Sequence, residues 1–397
     1  MIHSIRQLRS SLAYCCGMLR ARPFFRATLV CAAFAAMSVH AAAQDIIRFP
    51  AKGQVPPGYP PQYAAVIAAA ELEGQIVIHS TTDISVAAPL IDDFQTLYPR
   101  IEVRYQDMNS NDLYNVYLSD LLASPSTADV LWSSAMDLQF RLANAGQAQE
   151  YDSPESNGLP AWALWKNVAF GTTFEPVVFV YNRRMLAADE IPQTRADLTR
   201  LLTEKRERFA GKVVTYNIER SALGFLLATQ DERASADYLP LIKSLGGVSA
   251  QLVPTTEAII ARVAKGEALF GYNALGSYAY IEGKKDSSIG YVQPRDYTLV
   301  VTRVMLIGKK AANPNAARLW VDYLLSRRGQ SVLANRADLA SLRSDVEGAN
   351  SAAAITKALG QSVRPIPLGP DLLSAFPDQS RRLAFVRQWQ QAIAAKP

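Results

Sequence analysis

The chain has 397 residues and a mass of 43.5 kDa, with 49% hydrophobic and 19% charged residues, a balance that excludes a disordered or collagen-like chain and suffices for two ordinary domains. Its formal charge of +5 comes from 41 Lys and Arg against 36 Asp and Glu, yet the five excess positives, Arg6, Arg9, Arg20, Arg22 and Arg26, all precede the first acidic residue, Asp45. The rest is neutral, so the pI of about 9.0 gives no support to a nucleic-acid-binding face. Cys15, Cys16 and Cys31, with His3 and His40, fall in the same leader and leave His79 as the body's one histidine. That count excludes structural zinc, thiol catalysis and disulfides in the body. The motifs GxxxxGK[ST], HExxH and GxSxG do not occur either.

Residues 27–39, ATLVCAAFAAMSV, form an apolar run too short to cross a bilayer as a helix. With basic LRARPFFR before it and Ala41-x-Ala43 after it, the run predicts a secretory signal peptide over 1–43, cleaved after Ala43. Residues 44–63, rich in Pro and Gly, read as an extended segment ahead of the fold. A helix is predicted over 64–72, then a short strand over 76–78. From Asp83 to Tyr98, Ile84, Ala87, Leu90, Ile91, Phe94 and Leu97 recur at helical spacing, with Thr82 or Asp83 as the cap. IEVRYQD reads as a strand, NDLYNVYLSDLLAS as a helix and ADVLWSS as a third strand. Alternation of this kind predicts an α/β fold with parallel sheets and helices on their faces.

FGTTFEPVVFVYN (170–182) breaks the rhythm as a strand long enough to pass from one domain to another. A further α/β stretch begins at GKVVTY (211–216), with helices near 221–230 and 235–245. YVQPRDYTLVVTRVMLIGK, near 291–308, is the natural return crossing. The remainder reads as helical, with a turn and N-cap at Asn313–Asn315 and a stop at Gly329. Two α/β domains joined by two crossings enclose one cleft.

Several segments resemble the periplasmic solute-binding proteins of bacterial ABC importers, in the branch that holds ferric-ion, hexose-phosphate, phosphoglycerate and aminoethylphosphonate binders. They are EGQIVIHSTTD, DVLWSSAMD, FGTTFEPVVFVYN, GKVVTY, ERSALGF, KGEALFGYN, ANPNAARLWVDYLLSRRGQ, SLRSDV and RPIPLGPDLL, in that order along the chain. The resemblance implies a two-lobe periplasmic-binding-protein fold of type II-like form. Lobe one would take 64–171 with 305–397, lobe two 182–290, and the hinge crossings 172–181 and 291–304. It also implies a monomer that hands a small anionic solute to an ABC permease in the inner membrane, with no enzyme activity, cofactor or nucleic-acid partner.

Recognition in such a cleft needs hydrogen-bond donors on loops at the carboxyl ends of strands. Ser80, Thr81 and Thr82 open the first long helix, where backbone N–H groups favour an anion; plain N-capping is the alternative reading. Ser133 and Ser134 end the third strand in the same topological position, or else form a solvent-exposed turn. Thr172 and Thr173 stand where the chain begins to cross, and Arg220 and Ser221 follow GKVVTY. A guanidinium there grips phosphate or carboxylate with two parallel bonds, unless Arg220 merely pairs with Glu219. Asn273, Ser277 and Tyr278 complete the candidate set, with Tyr272 beside them. His79 ends the first strand, as either a cleft donor or a core-edge residue.

Ferric binders in the branch use an adjacent tyrosine pair, where this chain has Ala274 and Leu275. The many hydroxyls and the single arginine favour a phosphorylated or otherwise anionic organic solute, with iron as the alternative cargo and a ligand sensor for a membrane kinase as the alternative role. A hydrolase built on His79 and a serine is the remaining enzymatic reading.

Overall fold

Apolar strands alternate with amphipathic helices, and in the computed structural model, which describes residues 53–122, 128–374 and 379–394, they build two sheets with helices packed on them. The predicted leader and its cleavage site lie outside the described residues. Helix α1 (Tyr63–Glu73) leads to β1 (Gln75–Ser80), α2 (Ile84–Leu97), β2 (Glu102–Asp107), α3 (Ser110–Leu122), β3 (Val130–Ser133), α4 (Met136–Asn144), β4 (Leu164–Trp165) and β5 (Ala169–Gly171). The chain then enters β6 (Glu175–Asn182), followed by α5 (Arg195–Glu204), α6 (Arg206–Phe209), β7 (Val213–Tyr216), α7 (Ala222–Ala234), α8 (Tyr238–Gly247), β8 (Gln251–Val253), α9 (Thr256–Ala264), β9 (Phe270–Leu275) and α10 (Gly276–Lys285). Strands β10 (Ile289–Val292), β11 (Thr298–Val301) and β12 (Val304–Ile307) precede α11 (Pro314–Leu325), α12 (Arg327–Asn335), α13 (Ala352–Leu359), β13 (Val363–Pro365), α14 (Asp371–Ser374) and α15 (Gln379–Ile393).

The first sheet runs β2-β1-β3-β12-β5-β4 and the second β13-β11-β6-β9-β7-β8, with β10 beside β6. Strand β1 is parallel to β2 and β3, as βα units require, while β12 and β5 pair antiparallel. The core of the first lobe packs Ile76 and Ile78 of β1 and Leu90 and Phe94 of α2 against Trp320 and Leu324 of α11, all buried. Phe94 meets Trp320 and Tyr323 edge to face, a geometry that adds to their area burial. In the second lobe Phe179, Phe209, Phe270 and Tyr238 form the equivalent centre.

The long strand read over 170–182 is two strands. Thr172, Thr173 and Phe174 separate β5 of the first sheet from β6 of the second, and Thr302 and Arg303 likewise separate β11 from β12. Polar side chains at both places interrupt apolar runs, so the chain changes sheets there. The two passages pair with each other: the N–H groups of Thr172 and Thr173 both donate to Thr302 Oγ1, at 3.0 and 3.1 Å. Gly171 permits this closeness, since a Cβ there would stand 2.8 Å from Thr302 Oγ1 and from Ala163 Cβ.

Three expectations are corrected. Helix α11 stops at Leu325, and Ser326 caps α12 by accepting from Gly329 N, so Gly329 lies in the first turn of the next helix and not at a stop. It is glycine because a Cβ would meet Tyr323 O at 2.0 Å. Asn313 stands at the N-cap position of α11 as read, but its side chain donates to Asp129 instead of capping the helix. The chain after α12 does not all stay with the first lobe: β13 pairs with β11 of the second sheet, and Phe385 and Trp389 of α15 lie in the second lobe's core.

Candidate functional site

Where the crossings meet, two charges are buried together. Arg303 Nε donates to Glu175 Oε1 at 2.8 Å and Nη2 to Oε2 at 3.3 Å, with 1% and 0% of their side-chain surfaces exposed. A buried charge needs both a counter-ion and hydrogen bonds, and both are present. Glu175 also accepts from Thr173 Oγ1 at 2.8 Å and from Ser277 Oγ, while Arg303 Nη1 donates to Thr82 Oγ1 at 2.8 Å. The Tyr278 ring lies 5.4 Å from the guanidinium carbon. Burial disfavours the arginine's charge, but Glu175 and the surrounding tyrosines outweigh it and raise the guanidinium pKa.

Arg303 faces a cleft of about 280 Å³ between the lobes. Lobe one contributes Thr81, Asp83, Asp107, Met108, Asn109, Ser110 and Ser134. Lobe two contributes Tyr216, Arg220, Ser221, Leu223, Pro254, Thr255, Thr256, Glu257, Leu275 and Tyr278. The lobes touch at its edges: Asn111 Nδ2 donates to Arg220 O at 3.2 Å, and Asp83 N to the Tyr278 hydroxyl at 3.5 Å. Helices α2, α3, α7 and α9 all begin at this wall, so their positive dipole ends converge on it, although side chains already pair an N–H in each first turn, Asp107 at Ile84 N and Asn109 at Asp112 N among them. Ser221 and Thr255 cap two of them, accepting from Gly224 N and Ala258 N. Three carboxylates offset this field. Desolvation, together with Asp83 across the cleft, pushes the Glu257 carboxyl pKa upward.

Five of the sequence candidates line this cavity: Thr81, Ser134, Arg220, Ser221 and Tyr278. Thr81 Oγ1 accepts from Ser134 N at 3.1 Å, so the two loops are joined. Arg220 is exposed and makes no ion pair among the described residues; Glu219, its expected alternative partner, instead accepts from Gln390. The other seven candidates are held in internal bonds. Ser80 Oγ donates to Trp132 O and accepts from Thr82 N, while Ser133 Oγ accepts from Ala135 N. Thr172 Oγ1 accepts from Trp132 Nε1 at 2.8 Å, and Thr82, Thr173 and Ser277 hold the Arg303–Glu175 pair. Asn273, at φ +64°, donates to the buried Asp231 at 2.6 Å, as does the Tyr272 hydroxyl. His79 is buried in β1, where desolvation lowers its pKa, and it is not part of the cleft wall.

Sequence reasoning missed Arg303, Glu175, Asp83, Asp107, Thr255, Thr256 and Glu257. A signal for the first two was present: each is a lone charge inside an apolar run, VVTRVMLIG and TTFEPVVFV, and a charge in such a run demands a partner.

The sequence profile of the bacterial extracellular solute-binding proteins matches residues 79–331. A substrate-binding protein of an ABC transporter from Agrobacterium tumefaciens is 36% identical, superposes with a TM-score of 0.77, and is covered over 94% of its length by 80% of this chain. The periplasmic binding protein AfuA from Actinobacillus pleuropneumoniae, solved with fructose-6-phosphate, shares the fold at 17% identity and a TM-score of 0.65, over 81% of this chain and 98% of its own. Iron-bound HitA from Pseudomonas aeruginosa shares it at 16% identity and 0.62, over 79% and 99%. No curated protein sequence matches the chain. A profile match over more than half the sequence, on a two-lobe α/β frame with a cleft between the lobes, establishes that the chain belongs to the bacterial extracellular solute-binding proteins, the non-catalytic binding components of ABC transporters.

Proposed function

We propose that the protein captures a small organic anion of the phosphorylated class in the periplasm by hinged closure of its lobes and delivers it to an ABC permease in the inner membrane. The observation that carries this reading is Arg303, a buried guanidinium at the hinge facing a cleft whose hydroxyls and helix N-termini come from both lobes. Arg220 adds a second positive charge at the rim. The three wall carboxylates accept hydrogen bonds from the organic part of the solute, which therefore carries hydroxyl or amino groups. Closure follows from this division: only with the lobes together do donors from both reach one solute.

The organic reading is favoured over iron by the wall chemistry. Hard Fe(III) favours phenolate and carboxylate oxygen, but Ala274 and Leu275 supply neither and the Tyr272 hydroxyl is turned to Asp231. The wall does hold Tyr216 and Tyr278, whose hydroxyls meet Thr256 and the Asp83 N–H, and the carboxylates Asp83, Asp107 and Glu257, so it is the spacing of these groups that decides against iron. Among the described residues, no group of three or more His, Asp or Glu converges on a metal-sized space.

Thermal melts of the purified protein against sugar phosphates, phosphoglycerates, phosphonates, amino acids, polyamines and ferric salts test the reading. A ligand at about 100 times its Kd stabilises by roughly 2.7 kcal/mol, a shift of a few degrees or more. A response to a phosphorylated solute supports the proposal; a response to ferric salts or polyamines alone rejects it.

A further inference from the structure

Arg303 is not a free cation in the cleft. A guanidinium has five N–H donors. Nε and Nη2 donate to the two oxygens of Glu175, and Nη1 donates to Thr82 Oγ1, with Thr81 O at 3.4 Å. The two-pronged edge that would grip a phosphate or carboxylate is thus already filled by a carboxylate of the chain itself. Thr173, two residues before it in the same crossing, and Ser277 of α10 hold that carboxylate in place.

We propose that Glu175 is a specificity-determining residue of the cleft, the resident counter-ion of Arg303, which keeps simple inorganic anions out. The inference rests on the reading above that Arg303 faces the anionic group of the solute. With the forked edge filled and the charge balanced, an incoming anion finds at most one of the five N–H donors, the second on Nη2, without an acceptor. Phosphate or sulfate alone then has too little to bind, and the nearby Asp83 and Glu257 repel it further. A solute whose organic part also bonds the hydroxyls of both lobes does not depend on that donor alone. Glu175 thereby turns an anion seat into a site for an anionic group attached to a polar body.

Glu175→Gln tests this, because it removes the counter-charge while keeping the shape: the amide oxygen still accepts from one of the two hydroxyls, Thr173 at the Oε1 position or Ser277 at the Oε2 position, and the amide NH2 donates to the other. Isothermal titration at fixed ionic strength is expected to show inorganic phosphate binding at least tenfold tighter to Glu175→Gln than to the wild type. Equal or weaker phosphate binding by a folded variant overturns the proposal. If Glu175→Gln does not stay folded in chloride, its folded yield is compared in phosphate and in chloride at equal ionic strength. The double variant Glu175→Gln/Arg303→Met, which lacks the cation, is the control for generic salt effects. A phosphate-dependent gain beyond that control supports the proposal, and its absence overturns it. Titrating the wild type with glycerol 3-phosphate and the other organic phosphates separates the two claims. Organic-phosphate binding with no change in phosphate affinity on Glu175→Gln rejects the counter-ion role alone, whereas phosphate gain by the variant without any organic-anion binding by the wild type rejects the functional reading alone.

Discussion

Arg303 and Glu175 meet at 2.8 Å, yet each is fixed to a different lobe. Val304, next to Arg303, pairs with Ser133 and Gly171 of the first sheet, and the guanidinium reaches Thr82 at the start of α2. Glu175 begins β6 of the second sheet and is bonded by Ser277 of α10. The ion pair therefore lies where the chain passes between the two sheets. Replacing Arg303 by Met leaves a buried carboxylate without its counter-ion and is expected to cost about 3–5 kcal/mol, read as a lower urea midpoint. The double variant with Glu175→Gln recovers most of that loss, since no unpaired charge remains.

Asn111→Ala removes a bond from α3 to the Arg220 carbonyl across the cleft mouth, at 3.2 Å. The bond spans the lobes, so its loss acts on closure. Solute affinity is expected to fall by about 2- to 10-fold, carried by faster dissociation in stopped-flow measurements.

Arg220 is exposed at the rim, so its charge acts through solvent. Arg220→Ala is expected to weaken solute binding by about tenfold at low salt and by less at 0.5 M salt, where screening mutes the wild-type advantage. Equal affinity of the two proteins at both salt concentrations would remove this side chain from the site.

Asp137, in the first turn of α4, is buried with Oδ1 unpartnered, and desolvation pushes its pKa up to about 6 against the pull of Arg382 and Arg141. A carboxyl whose folded-state pKa is raised holds more protons folded than unfolded between about pH 4 and 6, so it makes stability fall as pH rises through that window. Asp137→Asn is expected to flatten this slope and to raise the melting temperature at pH 7.5 by roughly a few degrees.

Gly171→Ala places a methyl group against Thr302 and Ala163, where the two crossings pair. Overpacking of that kind is expected to cost about 1–3 kcal/mol in a urea titration.

Much of the frame could be read from the chain. The alternation of Ile76, Ile78 and the 3.6-residue recurrence of Leu90, Ile91 and Phe94 are local properties, and local properties survive into the fold. The change of sheet within 170–182 was legible from its length and from Thr172 and Thr173. What a single sequence does not show is partnership at long range. Ser80, Ser133 and Asn273 look like exposed donors at strand ends, but their partners Trp132, Ala135 and Asp231 are found only through tertiary structure or a turn. Glu175 and Arg303 lie 128 residues apart and identify each other only when both crossings are in place. The stop read at Gly329 failed for a similar reason: the glycine answers a close approach to the Tyr323 carbonyl, not a left-handed turn.

After α12 the chain returns to the second sheet by a further route. Phe174 N donates to Ala340 O, Ser341 bridges to Thr173, and β13 then joins β11. Three strands of polypeptide thus lie side by side at the waist of the molecule. A plate fastened at three neighbouring points resists twisting about its long direction while still folding along the line of the fasteners. Under the proposed closure the lobes would swing like a book on a stiff spine, with shear or rotation of one against the other the costlier motion.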